Sequence, residues 1–222
     1  MKNNILVIAA HPDDEILGCG GSLLKLKKKY NIYGIFMTNG VGARNNSHQK
    51  EIHERKKNCE KLFKYFKFKK PIFFDYPDNK LDSIPLLEVI KPIEKKIKLI
   101  NPTIIFTHSS RCLNIDHRKI FDAVITACRP IKRSNLKKIL SFEVPSSSEW
   151  SFKKDKNFQP NYFIDITKQI NNKVKALKFY KKELRKYPHS RSIKGIKSLS
   201  EYRGTFIGVK NAEAFYLVRY SG

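Results

Sequence analysis

No stretch of this chain is both apolar and long enough to cross a bilayer. Nor does it open with the charged-then-apolar pattern of a secretory leader, because an apolar strand pattern begins almost at once. Both absences lead us to expect a cytoplasmic protein without a transmembrane segment. Cysteine is sparse. The four residues, Cys19, Cys59, Cys112 and Cys128, are widely spaced and form no Cys-x-x-Cys pair. That pattern argues against a disulfide framework and against a thiolate metal site, and it suits reduced thiols in a reducing compartment. Internal repeats and low-complexity linkers are also missing, so the 222 residues are expected to form one domain, 1–222.

Acidic residues are scarce too. Twenty Asp and Glu face 45 Lys and Arg, for a formal net charge of +25. A basic surface attracts phosphates and so raises a nucleic-acid reading. The lysines, however, are spread along the polar faces of presumed helices (25–29, 56–70, 91–98 and 173–186) rather than gathered in a motif. Solvated helix faces account for them. The charge leaves room for an anionic substrate or a peripheral membrane contact, but specific nucleic-acid recognition is not expected. A homo-oligomer is compatible with the sequence, which carries nothing that sets subunit number.

What is present is an alternation of strand and helix patterns. Ile5 to Ala10 reads as a buried parallel strand, Leu17 to about Tyr30 as a helix, and Ile32 to Thr38 as a second strand stopping at Asn39-Gly40. A polar stretch with Arg44 and His48 leads into a long helix at about 47–66. Pro71 to Phe74 suits a third strand, and Pro77-Asp78-Asn79 a turn. A helix at about 85–100 is ended by Asn101-Pro102, since the residue before proline is pushed out of the helical region. Thr103 to Thr107 makes a fourth strand, followed by a loop from His108 to Ile115 and a helix at about 116–128. Strands near 139–144 and 162–166, a helix at about 167–184, and a final strand at 214–220, placed at a sheet edge, complete the pattern. The fold class is α/β: a Rossmann-like three-layer sandwich with a mostly parallel central sheet. In such a sheet the first and fourth strands are commonly neighbours, and ligands bind where the winding reverses between them.

Two loops then share that crevice. One carries His11-Pro12-Asp13-Asp14-Glu15, and the other carries His108 and Asn114-Ile115-Asp116-His117. An imidazole and two adjacent carboxylates with no lysine or arginine among them are costly to hold together unless a cation sits in the cluster. Catalytic zinc sites take three protein ligands from histidine and carboxylate and keep a fourth position for water. His11 and Asp14 are close enough on a sharp turn to share one ion, and His117 adds a third ligand from the opposite loop. Asp13 is then left beside the water as general base. Asp116 and Glu15 also have plainer readings, as a helix cap and a partner for the helix dipole.

These residues resemble a known family. Ala10-His11-Pro12-Asp13-Asp14-Glu15 followed by Gly18-Cys19-Gly20-Gly21 is similar to the signature of the PIG-L/LmbE family of zinc-dependent N-deacetylases. The likeness extends to Thr38-Asn39-Gly40, Arg55, the 77–82 segment, Leu113-Asn114-Ile115-Asp116-His117-Arg118, Glu143-Val144-Pro145-Ser146-Ser147, Tyr202-Arg203-Gly204 and Ala212-Glu213-Ala214-Phe215. The resemblance implies removal of an acetyl group from an N-acetylated amino sugar, with a role in building a polysaccharide or glycoconjugate expected. The abundant lysines with Arg55 lead us to expect an anionic substrate such as a nucleotide- or lipid-phosphate-linked sugar. The resemblance also implies zinc, or Fe2+ or another divalent ion in its place, held by His11, Asp14 and His117, with Asp13 as base. Arg55 is implied as a substrate contact, to which we add Arg44 and His108. One departure stands out. Many members carry a histidine where this chain has Asn114. An asparagine amide donates a hydrogen bond to a developing oxyanion but delivers no proton at neutral pH. The acid is then Asp13 acting twice, His108, or His189, and of these His189 is the preferred candidate.

The sequence admits two other readings. The glycines of Gly18-Cys19-Gly20-Gly21 invite comparison with a dinucleotide fingerprint, but the intervening acidic pentapeptide would repel a pyrophosphate, and close packing of a helix explains them better. A non-catalytic basic protein that recognises polyanions on the same fold is the alternative from another class.

Overall fold

The computed structural model describes residues 2–40, 49–130, 134–152 and 157–221. Arg44 and His48 lie outside the described residues. Seven strands form one sheet: β1 (Asn3–Ala9), β2 (Tyr30–Thr38), β3 (Ile72–Tyr76), β4 (Ile104–His108), β5 (Lys138–Phe142), β6 (Tyr162–Asp165) and β7 (Ala212–Tyr220). Their order is β3-β2-β1-β4-β5-β7-β6. The pairs from β3 through β5 are all parallel, while β7 runs antiparallel to both β5 and β6. The mostly parallel sheet is thus as the sequence predicts. The last strand is not: β7 is interior, and the short β6 takes the edge. A four-residue edge strand exposes little unpaired backbone to other chains.

The helices are α1 (Asp14–Leu26), α2 (Gln49–Tyr65), α3 (Leu86–Ile100), α4 (Ile115–Ala127), α5 (Ile170–Leu177) and α6 (Ile193–Thr205). Alternate residues of β1 divide between two cores because side chains alternate across a strand. Ile5, Val7 and Ala9 pack with residues of α1, α2, α5 and α6 on one face. Leu6, Ile8 and Ala10 pack with α3 and α4 on the other. Every residue from Ile5 to Ala10 is fully buried, which explains the unbroken apolar run.

Glycine sets how closely α1 approaches the sheet. A Cβ at Gly18 would lie 2.2 Å from the Phe142 ring, and one at Gly21 would lie 2.8 Å from Ile166. These glycines serve packing, in keeping with the reading that set the dinucleotide fingerprint aside.

Three details differ from the sequence pattern. The predicted helix at 167–184 is α5 followed by a 3-10 segment, Lys178–Glu183, with a kink at Tyr180 (φ −107°, ψ 47°). The Pro77-Asp78-Asn79 turn is followed at once by a 3-10 turn at Leu81–Ser83. Helix α6 was not anticipated, because glycines at 195 and 204 lower its helical propensity. Its start is nonetheless marked locally, since the Ser192 side chain accepts a hydrogen bond from the Gly195 amide at 2.9 Å.

Candidate metal centre and its cavity

Strands β1 and β4 pair in register from Ile5 with Ile104 to Ile8 with Thr107, so the segments after their carboxyl ends face one another. This is the winding switch point of the sheet. The His11–Glu15 turn leaves β1 and enters α1, while the loop after β4 enters α4 at Asn114.

Three ligand-type atoms from these segments converge. His11 Nδ1 lies 3.1 Å from Asp14 Oδ2, and His117 Nε2 lies 3.4 Å from each of them. A tetrahedral zinc with bonds near 2 Å would separate its ligand atoms by about 3.3 Å. The other carboxylate oxygen, Asp14 Oδ1, is buried without a hydrogen-bond partner. Both observations fit a cation, and this cluster could hold a metal ion.

The turn that presents Asp14 is strained. Asp13 has φ 136° and ψ −31°, a conformation that costs a side-chain-bearing residue about 1–3 kcal/mol. Hydrogen bonds hold it there. Glu15 Oε2 accepts from the Asp13 amide at 2.8 Å, and the Asp13 carbonyl accepts from the Ile16 and Leu17 amides at 3.0 and 2.9 Å. Tyr180 donates its hydroxyl to the other Glu15 oxygen at 2.7 Å. Burial pushes the Glu15 carboxyl up to about 8, against the downward pull of these hydrogen bonds.

Behind these three side chains lies a second set of contacts. With Nδ1 turned to the cluster, His11 Nε2 lies 2.8 Å from Asp78 Oδ1 and 3.5 Å from Asp116 Oδ2. Carboxylates in that position orient a ligating imidazole. The Asp116 carboxylate also accepts from the Asn79 and Leu81 amides at 2.7 and 3.1 Å, fixing the Asp78 loop to α4. It is therefore no cap; Asn114 fills that role. On the far side of His117, Nδ1 lies 3.1 Å from Cys112 Sγ. Burial lowers the His117 pKa, but Asp14 and Cys112 together outweigh it and carry it up to about 9. Burial resists ionisation of Cys112, yet His117 brings that thiol down to about 7.

Asp13 sits between two guanidiniums. Arg55 Nη2 is 2.8 Å from its Oδ1, and Arg191 Nη1 is 3.3 Å from its Oδ2. Arg55 also donates through Nε to the Pro12 carbonyl at 2.8 Å, donates to the Gly40 carbonyl, and faces Glu183 at 3.4 Å. Burial raises the Asp13 pKa against the opposing charges of Arg55 and Arg191. A carboxylate stripped of water in this way is a better proton acceptor than one in solvent.

The cavity above the cluster has a volume of about 230 Å³. Its walls include His11, His117, Asn79, Asn114, Glu183 and Arg191, together with Arg55, Asp78 and two serines of the loop after β5. Asn114 is fixed by its own helix. Its Oδ1 accepts from the Asp116 and His117 amides at 2.8 and 3.2 Å, so its Nδ2 faces outward and donates to Asn79 Oδ1 at 3.0 Å.

Two sequence-predicted residues are placed elsewhere. His108 is completely buried; its Nε2 accepts from the Ala10 amide at 2.8 Å, and its ring stacks on that of His117 at 3.7 Å. It backs His117 and does not line the cavity. Burial and the neighbouring His117 hold its pKa well below the ordinary value, so it is a poor proton donor as well. His189 turns its ring against Trp150 at 5.3 Å, and its Nδ1 accepts from the Arg191 amide at 3.0 Å. The residue that segment delivers to the cavity is Arg191. Arg55 does reach the cavity, but its donors are committed to Asp13, Glu183 and two carbonyls rather than open to a substrate. Sequence reasoning missed Glu183, Arg191 and Cys112. Asp78 lies in the 77–82 segment, where the sequence alone gives it no role.

Comparison with known proteins bears on this geometry. A family model described as "PIG-L: GlcNAc-PI de-N-acetylase" matches residues 6–128. The chain is 29% identical over 186 residues to the "Uncharacterized deacetylase YaiS" of Escherichia coli (strain K12), covering 81% of this chain and 91% of that protein. Among solved structures, it is similar to the N,N'-diacetylchitobiose deacetylase of Pyrococcus horikoshii, with TM-score 0.78, 20% identity, and coverage of 97% of this chain and 84% of the other. It is also similar to GalB, the 4-carboxy-2-hydroxymuconate hydratase of Pseudomonas putida KT2440, with TM-score 0.76, 15% identity, and coverage of 100% and 98%. The fold thus serves more than one reaction, and the family match decides between them: the chain belongs to the PIG-L family of de-N-acetylases and is a deacetylase of that kind.

Proposed function

We propose that this protein is a zinc-dependent hydrolase that removes the acetyl group from an N-acetylated amino sugar. The convergence of His11 Nδ1, Asp14 Oδ2 and His117 Nε2 on one point carries the reading. Those three residues would hold the ion, which supplies activation of water and polarisation of the amide carbonyl. Asp13 takes the proton from the attacking water. Asn114, whose cap contacts aim its amide outward, donates a hydrogen bond to the carbonyl oxygen as negative charge builds there. The same Asp13, now protonated, returns the proton to the departing nitrogen as the C–N bond breaks, giving acetate and a free amine. Asp13 thus fills the acid role for which His189 and His108 are misplaced. Arg55 and Arg191 keep its carboxylate aimed and Glu183 offsets their charge.

The cavity walls suit a polyhydroxylated ring. Acceptors at Asn79, Glu183 and the Gly40 carbonyl stand beside donors at Asn114 and Arg191, and apolar surface is scarce. Among the described residues the two arginines are matched by Asp13 and Glu183, so a neutral sugar ring enters, and any anionic nucleotide or lipid carrier rests on the lysine-rich exterior. No helix among the described residues is long and apolar enough to cross a membrane, and all four cysteines are free. A cytoplasmic step in polysaccharide or glycoconjugate synthesis is in keeping with both. The test is an acetate-release screen over free, nucleotide-linked and lipid-linked N-acetylamino sugars, with added zinc or with chelator. Zinc-dependent release from at least one sugar is expected. Salt-sensitive polyanion binding that ignores chelator, with no release, would favour the non-catalytic alternative.

A further inference from the structure

A ligating histidine commonly gives its second ring N–H to a carboxylate, a main-chain carbonyl or water. His117 meets none of these in the described contacts: the atom at its Nδ1 is Cys112 Sγ, 3.1 Å away and buried. The surroundings of that sulfur are organised to make it an acceptor. Ser147 Oγ lies 2.8 Å from it and Ser148 Oγ lies 3.9 Å away. Each hydroxyl oxygen is already occupied by a main-chain donor, Ser147 by the Asn114 amide at 3.4 Å and Ser148 by the Val144 amide at 2.8 Å. A hydroxyl that accepts on its oxygen has its proton left to give, and the sulfur is what lies in reach.

The cysteine itself is held from both sides. Its amide donates to the Ser109 carbonyl at 3.3 Å, and its carbonyl accepts from Arg118 at 2.8 Å. Cys19 shows the opposite arrangement, with its thiol donating to the Glu15 carbonyl at 3.2 Å. Cys112 is not placed to act as a nucleophile, since it does not line the cavity. Nor does it serve as a fourth ligand, because its sulfur faces the Nδ1 side of His117 while the cluster gathers at Nε2.

We infer that Cys112 is a positioning residue for the metal centre. Its sulfur receives the His117 Nδ1–H and holds the imidazole in the tautomer and rotation that leave the Nε2 lone pair for the cation, with Ser147 and Ser148 anchoring the sulfur. The inference rests on the reading of His117 as a ligand. It makes this thiol a determinant of how tightly the protein keeps its ion.

The experiment is a zinc titration against a chromophoric chelator, using wild type, Cys112→Ala, Cys112→Ser and Cys112→Asp, with the fold of each metal-free protein followed by circular dichroism. Cys112→Ala is expected to bind zinc about 10–100-fold more weakly, the usual cost of losing such a partner. Cys112→Ser, which keeps a shorter acceptor and the least altered packing, should lose less. Cys112→Asp should return most of the affinity, because its carboxylate accepts the same N–H and the two serine hydroxyls. A structural role alone would lower stability without this ordering of affinities. Cys112→Ala or Cys112→Ser with wild-type zinc affinity would overturn the inference while leaving the metal centre intact. A folded wild type that binds no zinc would instead overturn the metal reading on which it stands.

Discussion

The side of the cavity that carries the candidate metal ligands and its opposite wall are assembled differently. On the first side, His11, Asp13 and Asp14 fall within four consecutive residues, and Asn114 and His117 within one helical turn, so each group of side chains is set by one local backbone geometry. The wall is gathered from distant segments: two serines after β5, Glu183 at the end of a 3-10 turn, and Arg191 ahead of α6. The two sides meet at Asp13, which the first side strains into place and the second side, through Arg191, helps to aim. The position of the Asp13 carboxylate is thereby set jointly by a rigid local turn and a long-range ion pair.

Breaking the first side should cost most. Asp13→Asn keeps the shape but takes up no proton, and turnover is expected to fall by about 10²–10⁴-fold, with zinc still bound. Acetate release and metal content measure the two halves of that statement. Turnover within a fewfold of wild type would mean that another group handles the proton. On the opposite wall, Arg191→Ala should lower kcat by about tenfold, the scale of an outer partner, with zinc affinity unchanged. A loss equal to that of Asp13→Asn would place Arg191 against the reacting atoms and erase the distinction between the two sides.

That contrast also explains how much could be read in advance. The β1–β4 adjacency follows from the strand–helix alternation, and the convergence of His11, Asp14 and His117 beside Asp13 follows from two short motifs whose spacing largely sets their geometry. Arg191 and Glu183 come to Asp13 through the kink at Tyr180 and the turn before α6, which carry no periodic signal. His189 was favoured for its chemistry, yet the chain turns its ring to Trp150 and gives the cavity the side chain two residues on. His108 was misplaced for a different reason. As the last residue of a fully buried strand, it points into the core behind His117, although its neighbourhood in sequence suggested the crevice.

The smallest expected effect concerns the strained turn itself. Glu15 is pushed up to about 8 in the folded protein, so the fold favours its protonated form. Stability from this group is complete below the ordinary carboxylate pKa and is lost progressively as pH rises from there through about 8. Glu15→Gln, neutral at every pH, should flatten that decline. Thermal unfolding of wild type and Glu15→Gln between pH 6 and 9 would show the curves converging at high pH or the variant overtaking. Parallel curves would mean that Glu15 is ionised throughout, its charge held by Tyr180 and the Asp13 amide.

The cation's position decides the account most directly. His11 has potential co-ligands at both ring nitrogens, with Asp14 and His117 at Nδ1, and Asp78 and Asp116 at Nε2. Anomalous diffraction from crystals grown with zinc should place the ion about 2.0–2.2 Å from His11 Nδ1, the Asp14 carboxylate and His117 Nε2. An ion found instead between His11 Nε2, Asp78 and Asp116, with the first cluster empty, would contradict it.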